Sequence, residues 1–184
     1  MSSTLGLCSL GSKRQRAVFI RNHTIVYPGT FDPIHNGHVD LVERAANLFD
    51  TVVIGVADSA RKQPLFSTEE RIDLVRQSLA HLDNIEVKGF SGLSIRFVED
   101  QGSHCVLRGI RTTADFEFEY QLANMNRAMN PAFESIFLTP TNDFSYISST
   151  LVREIASMKG DVEDFVPPMV LAALKTKFMV NAGS

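Results

Sequence analysis

Cysteine is nearly missing from this 184-residue chain, with only Cys8 and Cys105 present. Two thiols cannot build a disulfide framework, and these two lack the spacing of metal ligands. A reducing compartment, the cytoplasm, is therefore the expected setting. Cys105 stands in the run CVLRG and reads as a small buried hydrophobe. Long apolar runs are missing too: no stretch approaches the ~18 residues of a bilayer-spanning helix, so no membrane partner is expected. Nor is there an excess of cations. The formal net charge is −3, and Lys13, Arg14, Arg16 and Arg21 all fall in residues 1–23, which hold no acid, leaving residues 24–184 at −7. A folded part of that sign is a poor partner for nucleic acid.

What is present reads as globular: 44% of residues are hydrophobic and 21% charged, and the length suits one domain with a substantial core. Residues 1–22 stand apart. The stretch MSSTLGLCSLGSKRQR has no charged start followed by an apolar core, so it makes a poor secretory signal. Its Ser, Arg and lack of acids are traits of transit peptides. The expectation is nonetheless a flexible extension, an upstream-start segment or an expression remnant, with the domain at residues 23–184.

From residue 24 strand and helix patterns alternate. TIVYPG is a short strand ended by Pro28-Gly29, and Leu41, Val42, Ala45, Leu48 and Phe49 fall at helical spacing from Asn36. TVVIGVA (51–57) has the unbroken β-rich character of a strand buried on both faces. Ser67 and Glu70 form a capping box for a helix through about Leu82. NIEVKGF, HCVLRG and SIFLTP are further strands. SGLSIRFVEDQG is a short helix ending at Gly102. Phe118, Leu122, Met125 and Met129 make one apolar stripe on a long helix closed by Asn130-Pro131. SSTLVREIASMKG is a helix capped by serine and Gly160, and a last helix spans 168–178. Five such alternations predict a single-domain, doubly wound parallel α/β sheet, whose ligand sits outside the C-terminal strand ends.

The polar residues collect at those ends. Gly29 permits a sharp turn, and Gly37 lets a ligand approach the first helical turn, where free N–H groups bind anions. His35 and His38 beside it suit phosphoryl oxygens. Local backbone could equally satisfy both, and a metal pair lacks a third ligand at convincing spacing. Arg61 and Lys62 follow the second strand, where solvated loop charges are the plain alternative. Arg108 and Arg111 can fork phosphate oxygens or pair with Asp115, Glu117 and Glu119. DFSYISST sets four hydroxyls where a helix starts, and an N-cap explains one of them. Four such signals at one sheet edge point to a phosphate-rich ligand.

YPGTFDPIHNGH, followed by ISSTLVR, resembles the HxGH and ISSTxxR-type motifs of the nucleotidylyltransferase superfamily. RKQPLF and LRGIRTTADFEFEYQLANMNR are similar to its bacterial-type phosphopantetheine adenylyltransferases, over about residues 24–178. The resemblance implies a Rossmann-like fold that transfers the adenylyl group of ATP to 4′-phosphopantetheine, giving dephospho-coenzyme A and pyrophosphate. It implies Mg²⁺ on the ATP phosphates and a homo-oligomer, a hexamer. By the same resemblance Thr30 and Lys62 hold the acceptor phosphate, and Arg108 contacts the pantetheine substrate. Ser94 stands where relatives often carry a larger apolar residue near the pantetheine arm. His38 binds ATP and stabilises the transition state, with Lys62 and Arg111 also catalytic. Thr30, Phe31, His35, Gly109, Ile110, Arg111, Glu119, Phe144, Ser145, Tyr146, Ile147, Ser148, Ser149 and Thr150 line the ATP site.

Such chemistry needs no covalent intermediate. The acceptor phosphate is already an anionic nucleophile, so positioning and electrostatics carry the reaction. Two rivals stand beside this reading. One is transfer to another acceptor, such as nicotinamide mononucleotide or glycerol phosphate. The other is a silent nucleotide-binding module, against which His38, Lys62 and the two arginines speak.

Overall fold

The computed structural model describes residues 23–58 and 63–180. Residues 1–22, with Cys8, and the pair Arg61 and Lys62 lie outside the described residues. Five strands, β1 (Thr24–Gly29), β2 (Thr51–Ala57), β3 (Ile85–Phe90), β4 (Cys105–Gly109) and β5 (Glu134–Leu138), form one parallel sheet in the order β3-β2-β1-β4-β5. The helices are α1 (Asn36–Leu48), α2 (Thr68–Ser78), α3 (Ser94–Asp100), α4 (Thr113–Met129), α5 (Ser149–Ser157) and α6 (Pro168–Val180). The expected α/β class and the alternation of elements are those observed.

The β-branched runs of β1 and β2 are buried along their middles, as strands covered on both faces must be. Successive side chains point to opposite faces. Ile25, Tyr27, Ile54 and Leu107 therefore join a large core with α1, α2, α5 and α6. Val26, Val53 and Val106 pack on the other side against Ile95, Phe97 and Val98 of α3 and against Phe133. The chain winds outward from β1 through β2 to β3, then returns to the other side of β1 for β4 and β5. Along β2, β1 pairs over its whole length. Along β4 it pairs only through Ile25 and Val26. Beyond Val26 a crevice opens between Tyr27 and the end of β4.

One expectation needs correction. The capping box forms as read: Glu70 N–H donates to Ser67 Oγ at 3.2 Å, and Ser67 N–H to Glu70 Oε2 at 2.7 Å. The helix, however, ends at Ser78 rather than near Leu82. Leu79 leaves helical geometry (φ −110°, ψ 10°), and the apolar spacing runs on through a turn in which Leu82 N–H reaches Leu79 O at 3.0 Å. The stripe on α4 is present but uncovered in the single chain: Phe118 and Met125 are 64% exposed and Met129 57%. Only Asn126 of α4 is fully buried. Periodicity located this helix without telling what covers its apolar side.

Arg71 of α2 is buried completely. Its Nη1 donates to Thr30 O at 2.7 Å and Ala57 O at 2.8 Å, its Nε to Phe66 O at 3.1 Å, and its Nη2 to Thr68 Oγ1 at 3.0 Å. One guanidinium thus ties the loop after β1 to the end of β2 and the start of α2. Replacing it with methionine keeps the bulk but leaves several buried carbonyls unpaired. Arg71→Met should cost on the order of 3–5 kcal/mol of stability in urea unfolding. A loss below about 1 kcal/mol would mean that those carbonyls find other donors.

Candidate active site

Three chain segments meet at the crevice between β1 and β4: the loop from β1 into α1, the end of β4, and the turn into α5. They enclose a cavity of about 270 Å³ lined by Tyr27, His35, Gly37, His38, Leu41, Gly109, Arg111, Pro140, Phe144, Ser148, Ser149 and Thr150. Two larger hollows, of about 520 and 560 Å³, lie against α6 and are lined by other residues. Their position on a helix layer, away from the strand ends, sets them apart from the crevice where ligands of such sheets bind.

His35 is the residue before the first turn of α1 and is only 4% exposed. His38 stacks on it with ring centroids 3.7 Å apart. The His35 N–H donates to His38 Nδ1 at 3.2 Å. That bond leaves the His38 proton on Nε2, a donor free for another acceptor. Phe31, 3% exposed, meets His38 edge-on at 5.0 Å and Tyr27 at 5.4 Å, so aromatic edges fix the ring from behind. Gly37 is needed for space: a Cβ there would stand 3.1 Å from the His35 ring and 3.3 Å from Phe144 O. Gly29 serves differently from the expected turn. The left-handed backbone belongs to Phe31 (φ 49°), and a Cβ on Gly29 would strike the Phe31 ring at 2.9 Å.

The arginines take the partners that the sequence allowed. Arg108 Nε lies 3.3 Å from Glu119 Oε2, and both side chains are largely buried. Burial pushes the Glu119 carboxyl up from its ordinary value, partly offset by Arg108. Arg111 Nε donates to Asp115 Oδ2 at 3.2 Å and its Nη1 to Ile147 O at 3.0 Å, which joins the end of β4 to the turn before α5. The hydroxyls of DFSYISST also have more local partners than one cap. Ser148 accepts from Leu151 N–H at 3.2 Å, Ser145 donates to Asn142 O at 3.0 Å, and Ser149 donates to Pro33 O at 2.8 Å.

Of the anticipated site residues, His35, His38, Gly109, Arg111, Phe144, Ser148, Ser149 and Thr150 line the cavity. Thr30, Phe31, Arg108, Ile110 and Glu119 lie on the elements just behind or beside it. Ile147 is buried under the turn, while Tyr146 is 62% exposed and faces Phe165. Ser94 opens α3 after the edge strand β3 and is not among the lining residues. Tyr27 and Leu41 are cavity walls that no pattern marked out, since both read as core. Asp32 and Arg153 stand within the two quoted motifs without an assigned role, and Arg71 was missed because charged side chains in such a helix pattern usually face solvent.

The lining holds no cysteine, lysine or carboxylate among the described residues. It offers imidazole and guanidinium donors and the first turns of two helices, a set matched to phosphoryl oxygens. The sequence model of the cytidylyltransferase-like family matches residues 26–155. The chain is 56% identical over 159 residues to the phosphopantetheine adenylyltransferase of Hahella chejuensis, a match covering 86% of this chain and 99% of that relative. Among solved structures it resembles a Vibrio parahaemolyticus chain assigned as a nicotinate-nucleotide adenylyltransferase, with a TM-score of 0.63. That match covers 85% of this chain and 99% of the other at 15% identity, a likeness of fold alone.

Burial, with the Arg111 guanidinium nearby, lowers the His35 imidazole to about 3. Burial, then the His35 ring and Arg111, hold His38 well below its usual value. Both rings are neutral in the fold at pH values where the unfolded chain already protonates them. Between about pH 6.5 and 3 the unfolded state therefore binds more protons, and stability falls as pH falls. Each ring should add a slope of up to about 1.4 kcal/mol per pH unit. Urea unfolding from pH 7 to 4.5 should show a shallower decline in His35→Gln than in the parent. Equal slopes would mean that the His35 ring is charged in the fold.

Proposed function

The chain belongs to the phosphopantetheine adenylyltransferases of the cytidylyltransferase-like family, and on that footing we propose that it transfers the adenylyl group of ATP to 4′-phosphopantetheine. The products are dephospho-coenzyme A and pyrophosphate. The observation that carries this reading is the cavity itself. Two neutral imidazoles, Arg111 and the first turns of α1 and α5 converge on one small space.

An oxygen of the acceptor phosphate attacks the α-phosphorus of ATP. The bond from that phosphorus to the bridging oxygen breaks, and pyrophosphate leaves with the electron pair. The acceptor is an anion at neutral pH, so no base has to take a proton. His38 donates through Nε2 to the oxygens on which charge grows, and Arg111 offsets the charge of the phosphates. His35, Phe31, Gly109, Ile110, Glu119 and Phe144 to Thr150 complete the nucleotide side. Thr30 and Lys62 take the acceptor phosphate, and Arg108 contacts the rest of that substrate, with Ser94 near its arm. Mg²⁺ enters with ATP. Cationic and neutral donors around the cavity suit phosphate oxygens rather than a cation, which favours an ion carried by the nucleotide. The uncovered apolar stripe of α4 supports a homo-oligomer, which we place as a hexamer in the cytoplasm.

The test is steady-state turnover with ATP and either phosphopantetheine or nicotinate mononucleotide, with products identified by mass. Phosphopantetheine should be the acceptor used. Turnover confined to nicotinate mononucleotide, or ATP binding with no turnover on either, would overturn the reading. In the same assay His38→Ala should lower kcat about 10²–10³-fold, the effect of one lost preorganised donor of about 3–4 kcal/mol, with little change in ATP affinity.

A further inference from the structure

The cavity walls belong to segments that the sheet does not join directly. Behind them Asp32 ties the loop after β1 to α5 and to the chain entering α2. Asp32, in the loop after β1, is 4% exposed. Its Oδ2 accepts from Leu65 N–H at 2.9 Å and its Oδ1 from Phe66 N–H at 3.0 Å, both in the chain entering α2. From the opposite direction Arg153 of α5 brings Nη1 to 3.1 Å from Oδ2 and also donates to the Asp32 carbonyl. Ser149 Oγ, in the first turn of α5, donates to Pro33 O at 2.8 Å.

We propose that Asp32 is a positioning residue: its carboxylate clamps the chain entering α2 and, through Arg153, the middle of α5 to the loop that carries Thr30. The proposal rests on the adenylyl-transfer reading above. That reading puts the acceptor phosphate at Thr30 and the nucleotide against Ser148 to Thr150. In-line attack needs the two held at one separation, and a displacement of about 1 Å can cost 10²-fold in rate. Asp32 meets both halves through charge-assisted or buried bonds, yet it does not line the cavity. Its loss should loosen the relation between the half-sites while leaving each half able to bind. A carboxylate serving the fold alone would act on stability and leave the rate of folded molecules unchanged.

Arg153 is 31% exposed and gives the milder variant should Asp32→Asn fail to fold. In Arg153→Gln, kcat per folded molecule should fall about tenfold or more with both KM values within about threefold. Arg153→Lys, which keeps a charge for the Asp32 carboxylate, should recover most of the rate. A second readout needs no acceptor. Hydrogen exchange at the Leu65 and Phe66 amides should quicken about fivefold in Arg153→Gln as the carboxylate loosens. A kcat within about twofold of the parent, or a loss confined to the KM for ATP, would overturn the proposal. Unchanged exchange at both amides would do the same. A parent enzyme inactive on phosphopantetheine would instead sink the functional reading, and the amides would still decide whether the clamp exists.

Discussion

Strand β1 cannot keep both neighbours to its end, and the rest of the site depends on that constraint. It pairs with β2 throughout but with β4 only at Ile25 and Val26. The chain leaves β1 for β2 on one side and returns from β3 to β4 on the other, so the loops above the two halves diverge and a crevice forms where they part. Everything polar that matters is aimed at this gap. α1 starts beside it with His35 and His38, β4 ends at it with Arg108 to Arg111, and α5 starts above it with Ser148 to Thr150.

A crevice between diverging loops is not rigid by itself, because no strand hydrogen bonds cross it. Charged side chains supply the stiffness. Arg71 bonds Thr30 to Ala57, Asp32 joins residues 65 and 66 to Arg153, and Arg111 reaches Ile147 across the opening. Arg71 and Asp32 are buried and met by several partners each, as buried charges must be. The donors facing the cavity are different. The two imidazoles are held neutral and stacked on each other, so they are oriented before phosphate charge arrives. The framework is thus charged, and the cavity surface sets two neutral imidazoles beside the Arg111 guanidinium.

Much of this was legible in the amino-acid sequence. Hydrophobic periods located the strands and most helix limits, and the rule that ligands gather at C-terminal strand ends brought His38, Gly109, Arg111 and Ser149 together before any coordinates. The framework was not legible. Arg71 stands in TEERID, a pattern that on an ordinary surface helix faces water, and nothing local marks it as fully buried. Asp32 and Arg153 are far apart in the chain, and their pairing is a product of the topology. The hydroxyls of Ser145 and Ser149 read as ligand donors but have backbone acceptors of their own. The α4 stripe shows the opposite limit. Its period is that of a buried face, yet what covers it is not in the single chain.

In the proposed reaction adenylyl transfer is one direct displacement, driven by placement and preorganised donors. The configuration at phosphorus tests it most directly. ATP carrying sulfur and oxygen-isotope labels at a stereogenic α-phosphorus, reacted with phosphopantetheine, yields a dephospho-coenzyme A whose configuration can be read. A single in-line step predicts inversion. Retention would require two displacements through an adenylylated side chain, and it would contradict an account in which no residue of the cavity acts as a nucleophile.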